Sequence, residues 1–573
     1  MNKNLFNKIN EVYKNKNSFN LSVEENTLLE RKYNSFIRNG ALLNEKDALR
    51  LCEINLELAK LILSFEENLL AEKKAYVLHI TDEKDLKGLH AIDKDAAKQA
   101  ATSKNLEGWV FTFDATSYIP FMTYIENRAL RKIFCKSYNS RCYNNNEYDN
   151  QTIVLQITRL RKEKANLLQF DYHSEFVLQD RMAGNSKRVF DFLTEIREKA
   201  KTKADEEIIE LTKLAKELDG IEILEKWDMA YYSEKLRKKL FDLDQEELKS
   251  YFLLENVLKG VFHLASNLYS ISFTEVKNMS KQHEDVSSFE VKDEHNQTIA
   301  YFFCDFYPRQ EKQNGGWEYT FKPQYIDENQ VNHRPHVSIN CNFPKPTETH
   351  KSLLMFEDVK TLFHEFGHAL HSMFSNVSFP SLSGINVLWD FVELPSQIME
   401  NFCYEPDVLQ TFAFHYQTNE VIPMEKIQKI KNAKNFNTGL NTIRQVNFSN
   451  LDMKWHSDRF PRKKHQIKQF EKDNVLEFCP PIEESCLIVS FLHLFNSTYD
   501  YSAGYYSYHW AEVLDADAFE VFQEKGILNK EVAASFKSNI LMKGGMENPM
   551  DLFKRFRGKE PSIHAFLKRK GLI

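Results

Sequence analysis

The run His364-Glu365-Phe366-Gly367-His368 places two imidazoles and a carboxylate within about one helical turn. At about 100° per residue, histidines four apart project from one face about 6 Å apart along the axis, so both can reach one metal ion. The carboxylate between them, Glu365, then stands beside the open metal position, where it can take a proton from an attacking water. Three fixed letters arise by chance in about one such chain in twenty, so the pattern needs a helix to carry it. Val359, Leu362, Phe363, Phe366, Leu370 and Met373 supply one, recurring at three- and four-residue spacing as a half-buried amphipathic helix does. Gly367 costs such a helix about 1 kcal/mol relative to Ala, which hints at close packing there. The alternative reading is a pair of satisfied core histidines.

A hydrolytic metal site usually keeps three protein ligands and a water, so a further donor is required. His371 lies on nearly the same face as His364 but about 10 Å along the helix, which suits an outer or surface place rather than the ion. A metzincin would need Gly at 371 and His at 374, where this chain has His371 and Phe374. Glu393 and Glu400 are better placed. They lie in Asp390-Phe391-Val392-Glu393-Leu394-Pro395-Ser396-Gln397-Ile398-Met399-Glu400, read as a second helix with Pro395 tolerated near its start. One of the two can bind the metal while the other, or Asp390, orients an imidazole N–H. A solvated acidic face is the alternative.

FHEFGHALH, SLSG and DFVELPSQIMEN together resemble the thimet-oligopeptidase type of metallopeptidase, peptidase family M3, with the bacterial peptidyl-dipeptidase (dipeptidyl carboxypeptidase) branch as the nearest likeness. The resemblance runs from about Arg38 to Ile573 through YIPFMTYIENRALR, AYYSEKLRKK, INCNFPKPT, AGYYSYHWAEVLDADAF and GGMENPMDLFKRFRGKEP. It implies His364, His368 and Glu393 as ligands of one zinc ion and Glu365 as the base. It also directs attention to Tyr499, Tyr501, Tyr505, Tyr506 and Tyr508, preceded by His493. Phenols and an imidazole are sensible donors to the oxyanion formed when water adds to a peptide carbonyl. Matching to the family singles out Tyr501, Tyr508 and His493 for that task and Tyr505 as substrate-facing; an aromatic packed helix is the alternative.

This chain departs from the family at three places. Between His493 and Tyr501 it has no glycine where relatives usually carry a glycine-rich loop, and Trp389 stands where an Arg usually precedes DFVE. Relatives of this branch are expected to carry on the order of a hundred further residues ahead of the matched part, which makes residues 1–120 a short N-terminal helical region and 121–573 the catalytic region.

The elements that must position these groups read as mainly helical. Gly 17 and Pro 15 in 573 residues are scarce enough to favour long helices over turn-rich sheet, and Lys199–Leu218 and Ser233–Leu240 have helical periodicity. Strand signal is confined mainly to Ile299–Tyr307 and His336–Asn342, with turn chemistry at Asn314-Gly315-Gly316. A small sheet just ahead of the metal helix offers a candidate edge strand, containing Cys341, that could pair with an extended peptide; a plain structural hairpin is the alternative. With the resemblance, the expected fold is a large two-lobed, zincin-like helical metallopeptidase with a deep central channel and a small β-sheet next to the zinc helix.

Net charge −7 and pI near 6.3 leave no nucleic-acid footprint, and no glycine pattern marks a nucleotide site. No apolar run is long enough to span a bilayer, and the N-terminal residues lack the core of a secretory signal. The 8 cysteines form no C-x-x-C pair and read as reduced thiols of a cytoplasmic protein. The expected activity is hydrolysis of short peptides, with release of C-terminal dipeptides first and internal cutting second; a monomer is expected. The rival from another class is a catalytically inactive peptide-binding protein.

Overall fold

The computed structural model describes residues 2–242, 245–309, 312, 315–346, 351–496 and 501–573. Helix dominates. The elements that bear on the site run α1 Glu45–Ala75, α2 Gln151–Leu167, α3 Ser186–Asp219, then strands β1 Ser272–Glu275, β2 Ser287–Lys292, β3 Thr298–Asp305, β4 Trp317–Lys322 and β5 His336–Asn340. After the sheet come α4 Phe356–Phe374, α5 Glu393–Phe402, α6 Thr438–Trp455, α7 Ser507–Lys525 and α8 Ile563–Arg569. Tyr499 and Asn314 lie outside the described residues.

The chain divides into two compact units, each assembled from separated stretches. One contains Met1–Ala41, Leu243–Lys434 and Ser507–Gly571; the other contains Leu42–Asp242, Asn435–Tyr506 and Leu572–Ile573. In the second unit, α1 packs on α2 and α6 packs along α3. Local chemistry sets the helix ends: Asn44 caps α1 through the Asp47 amide at 2.9 Å, and Asn185 caps α3 through the Arg188 amide at 2.9 Å. The α3 helix stops at Gly220, whose φ of +66° is the left-handed cap conformation. Glu207 of α3 in turn accepts the Gly439 and Leu440 amides at 3.1 and 2.9 Å, meeting two orphan donors at the start of α6.

The first unit holds a five-stranded sheet in the order β1-β2-β3-β5-β4, antiparallel except for the β3–β5 pair. Two sequence expectations change here. The sheet begins at Ser272, well before the region where strand signal was concentrated. The strand at His336–Asn340, read as the candidate edge, is interior; the edge beside it is β4. Cys341 follows β5 and is fully buried, with no open face toward a substrate.

Helix α4 packs on β4 and β5 on one side and on α5 on the other. It is therefore buried more completely than a half-buried amphipathic helix: besides the apolar stripe, Gly367, Ala369, His371 and Ser372 are also buried. Gly367 explains the closeness of the two helices. A Cβ there would lie 2.6 Å from the Ser396 Cα and nearer still to the Pro395 carbonyl oxygen of α5, so only glycine lets the backbones meet. Pro395 sits in the first turn of α5, where its missing N–H costs no helical bond. Beyond α5, α7 packs against its far side and α8 against α7.

Candidate active site

His364 and His368 leave α4 one turn apart, their rings 5.0 Å between centroids and nearly perpendicular. Glu393, in the first turn of α5, brings one carboxylate oxygen 3.2 Å from His364 Nε2 and 3.3 Å from His368 Nε2. Among the described residues, these three form the group of His, Cys, Asp or Glu side chains able to hold a metal ion, with ligand atoms within 4.8 Å of one another. Two imidazoles and a carboxylate suit zinc, and also other first-row divalent ions.

The structure divides the labour between the two acidic candidates. Glu400, two turns along α5, places Oε1 2.8 Å from His364 Nδ1, on the side of the ring away from Glu393. That contact fixes the imidazole's tautomer and turns Nε2 toward the cluster. Burial alone would push His364 down, but the Glu393 and Glu400 carboxylates hold it well above its ordinary value. Burial likewise works against ionised Glu393, and the two histidines hold it well below the carboxylate range. In the metal-free protein the cluster thus holds charge that a cation would replace. Asp390 is fully buried ahead of α5, and Trp389 stands in the same turn.

Glu365 points along the face of α4 that carries His368. It is 5% exposed, and its Oε2 has no hydrogen-bond partner among the described residues. Burial raises its carboxyl, while His364 and His368 draw it back down; a carboxyl raised in this way is a better proton acceptor than an exposed one. His371 is buried rather than at the surface, both ring nitrogens lack hydrogen-bond partners among the described residues, and burial followed by the charge of His368 pushes it down to about 3. It stays neutral and stands outside the metal-ligating group.

Tyr508 lies in the first turn of α7, and its carbonyl accepts a long 3.5 Å bond from the Gln397 side chain of α5. It therefore belongs to the same unit as the metal group. His493, Tyr501 and Tyr505 belong to the other unit, where they form their own cluster. His493 packs edge-on against Tyr501 at 5.4 Å and Tyr505 at 5.7 Å, and partial burial holds its imidazole below the ordinary value. Tyr506 is fully buried.

Sequence reasoning missed the group that organises this second cluster. Asp452 of α6 accepts three consecutive amides, Ala503 at 2.7 Å, Gly504 at 2.9 Å and Tyr505 at 3.0 Å. The nest is a tight turn with Ala503 at φ +55°. His456 Nδ1 reaches the same carboxylate at 2.8 Å, and Arg161 spans from His456 Nε2 at 2.9 Å to the Leu494 carbonyl at 2.7 Å. An Asp within an amphipathic run shows no such role, because its partners are backbone amides fifty residues later. Asp452→Ala would orphan three buried N–H groups at about 1–3 kcal/mol each. The expected result is a loss of at least about 3 kcal/mol of stability in urea denaturation; a loss under about 1 kcal/mol would show that water or another group satisfies them.

No helix among the described residues is long and apolar enough to cross a membrane. The model of peptidase family M3 matches residues 121–572. Oligopeptidase A of Escherichia coli strain K12 is 36% identical across 96% of this chain and 82% of its own length. Dipeptidyl carboxypeptidase of the same strain is 33% identical across 100% of this chain and 84% of its own length. The solved structure of PZ peptidase A with inhibitor 2 covers 99% of this chain and 84% of its own with a TM-score of 0.52 at 15% identity, a likeness of fold. With an HExxH helix and a glutamate-bearing neighbour carrying the same spacing that the sequence shows, and a match over most of its length, the chain belongs to peptidase family M3.

Proposed function

We propose that this protein is a zinc-dependent peptidase of short peptides, acting in the cytoplasm as a monomer, with residues 121–573 as its catalytic region. The observation that carries the proposal is the convergence of His364, His368 and Glu393 with Glu400 already seated on His364 Nδ1. Zinc held by these three side chains would supply Lewis acidity, lowering the pKa of the attacking water and polarising the peptide carbonyl. Glu365 takes the proton from that water as the new C–O bond forms. The same carboxyl then delivers the proton to the departing nitrogen as the C–N bond breaks, so the step balances as addition of one water to one peptide bond. Tyr508, Tyr501 and His493 donate hydrogen bonds to the oxyanion between these events, and Tyr505 contacts the substrate. The support for these last roles is the family resemblance and the mutual packing of His493 with Tyr501 and Tyr505.

Two modes of cutting are open to this chemistry. Release of C-terminal dipeptides is supported by the likeness to dipeptidyl carboxypeptidase along the whole chain. Internal cutting is supported by the somewhat higher identity to oligopeptidase A. Incubation of the zinc-loaded protein with a pentapeptide carrying a free C-terminus, and with the same peptide amidated, separates them by mass spectrometry. Dipeptide from the free peptide alone supports the first mode, and internal products from both support the second. Absence of chelator-sensitive cleavage in either would sink the enzymatic reading in favour of a peptide-binding protein.

A further inference from the structure

His368 differs from its neighbour in one respect: its Nδ1 is buried without a hydrogen-bond partner among the described residues. When Nε2 binds a metal, the neutral imidazole carries its proton on Nδ1, and an acceptor there holds the ring and raises its basicity. His364 has Glu400 for this purpose.

A candidate acceptor lies across from it. Glu318 of the edge strand β4 has a buried Oε2 that also lacks a partner among the described residues. The strand's register on α4 follows from its flanking positions. Thr361, Glu365, His368 and Ser372 are spaced to form one stripe along the helix. Gly316, Glu318 and Thr320 form the facing stripe of the strand. At one end, a Cβ on Gly316 would lie 2.7 Å from Glu365 Oε1 and 3.1 Å from Thr361 Cγ2. At the other, Thr320 Oγ1 donates to Glu318 Oε1 at 2.6 Å and lies 3.3 Å from Ser372 Oγ. Glu318, midway along one stripe, therefore falls against His368, midway along the other. Burial pushes the Glu318 carboxyl up to about 6, and the groups drawing it back down are the Thr320 hydroxyl, the His368 imidazole and the Ser372 hydroxyl.

We propose that Glu318 is the positioning residue for His368, accepting its Nδ1–H when the metal is bound, as Glu400 does for His364. The inference rests on the reading of His364, His368 and Glu393 as a zinc site. It assigns a role in metal retention to a strand residue that stands outside the HExxH and FVE segments.

Glu318→Met keeps the length of the side chain and removes the acceptor; Glu318→Gln keeps an acceptor oxygen. Zinc affinity, measured by competition with a chromophoric chelator, is expected to fall roughly 10–100-fold in the Met variant and to recover most of that loss in the Gln variant. Thermal midpoints of the metal-free proteins should stay close to wild type, which separates metal positioning from packing. A Met variant within about twofold of wild-type affinity overturns the proposal, as does an equal loss in Met and Gln. Wild-type protein that binds no zinc would instead remove the metal reading on which the proposal stands.

Discussion

Glu365→Gln is expected to retain its zinc and lose turnover by roughly 100- to 10,000-fold. The substitution preserves volume and one oxygen but removes the chemistry proposed for the position, acceptance and return of a proton. The carboxylate does not belong to the metal-ligating group, so metal content by elemental analysis should match wild type. Its buried Oε2 has no hydrogen-bond partner among the described residues, which supports the proposed role over that of a structural strut. A variant that kept wild-type turnover would remove Glu365 as the base. A variant that lost its zinc would instead show that the carboxylate helps hold the ion.

Glu393→Ala is expected to release the ion altogether. One carboxylate oxygen lies within 3.3 Å of both imidazole Nε2 atoms, so its loss removes the proposed third ligand and the carboxylate that stands between the two rings. The fall in affinity should exceed the roughly 10–100-fold that follows loss of a group merely orienting a ligand, and activity should drop to that of chelator-treated protein. Acid should mimic the mutation. Binding needs neutral imidazoles, and Glu393 and Glu400 hold His364 well above its ordinary value in the metal-free state. Proton competition therefore begins at higher pH than for an isolated histidine, and zinc affinity should fall steadily as pH is lowered. Equilibrium dialysis across pH would show it; an affinity independent of pH would contradict the assignment of His364 as a ligand.

The convergence of His364, His368 and Glu393 was legible in part because the two histidines are written as spacing. Two histidines four apart and a glutamate on a following helix are patterns that periodicity exposes. Spacing alone did not divide Glu393 from Glu400, since both lie on one helical face; the family resemblance pointed to Glu393, and the approach of α5 to α4 sets which carboxylate faces Nε2 and which Nδ1. Gly367 gave a hint that the structure explains, through the contact with Pro395 and Ser396. Glu318 gave none, because a lone Glu in an alternating strand reads as a solvent-facing position. The sheet was half legible: β3 and β5 are apolar and β-branched, whereas β1 and β2 mix Ser, Thr, Glu and Lys among their apolar residues. The interior place of β5 follows from the order of pairing, which no single strand's composition encodes.

The interleaving of the two units bears on how the protein is made. The helix carrying His364 and His368 leaves the ribosome long before α7 and α8, the helices that back α5 within the same unit. The other unit likewise waits for residues 435–506 before α3 gains α6. Neither half can mature as an early, self-contained piece during synthesis. A nascent chain stalled before residue 507 would expose the apolar flank of α5 and hold its ligands on unsupported backbone. The packing that backs α5 is thus completed by the last stretch to be synthesised, well after His364, His368 and Glu393 have been made.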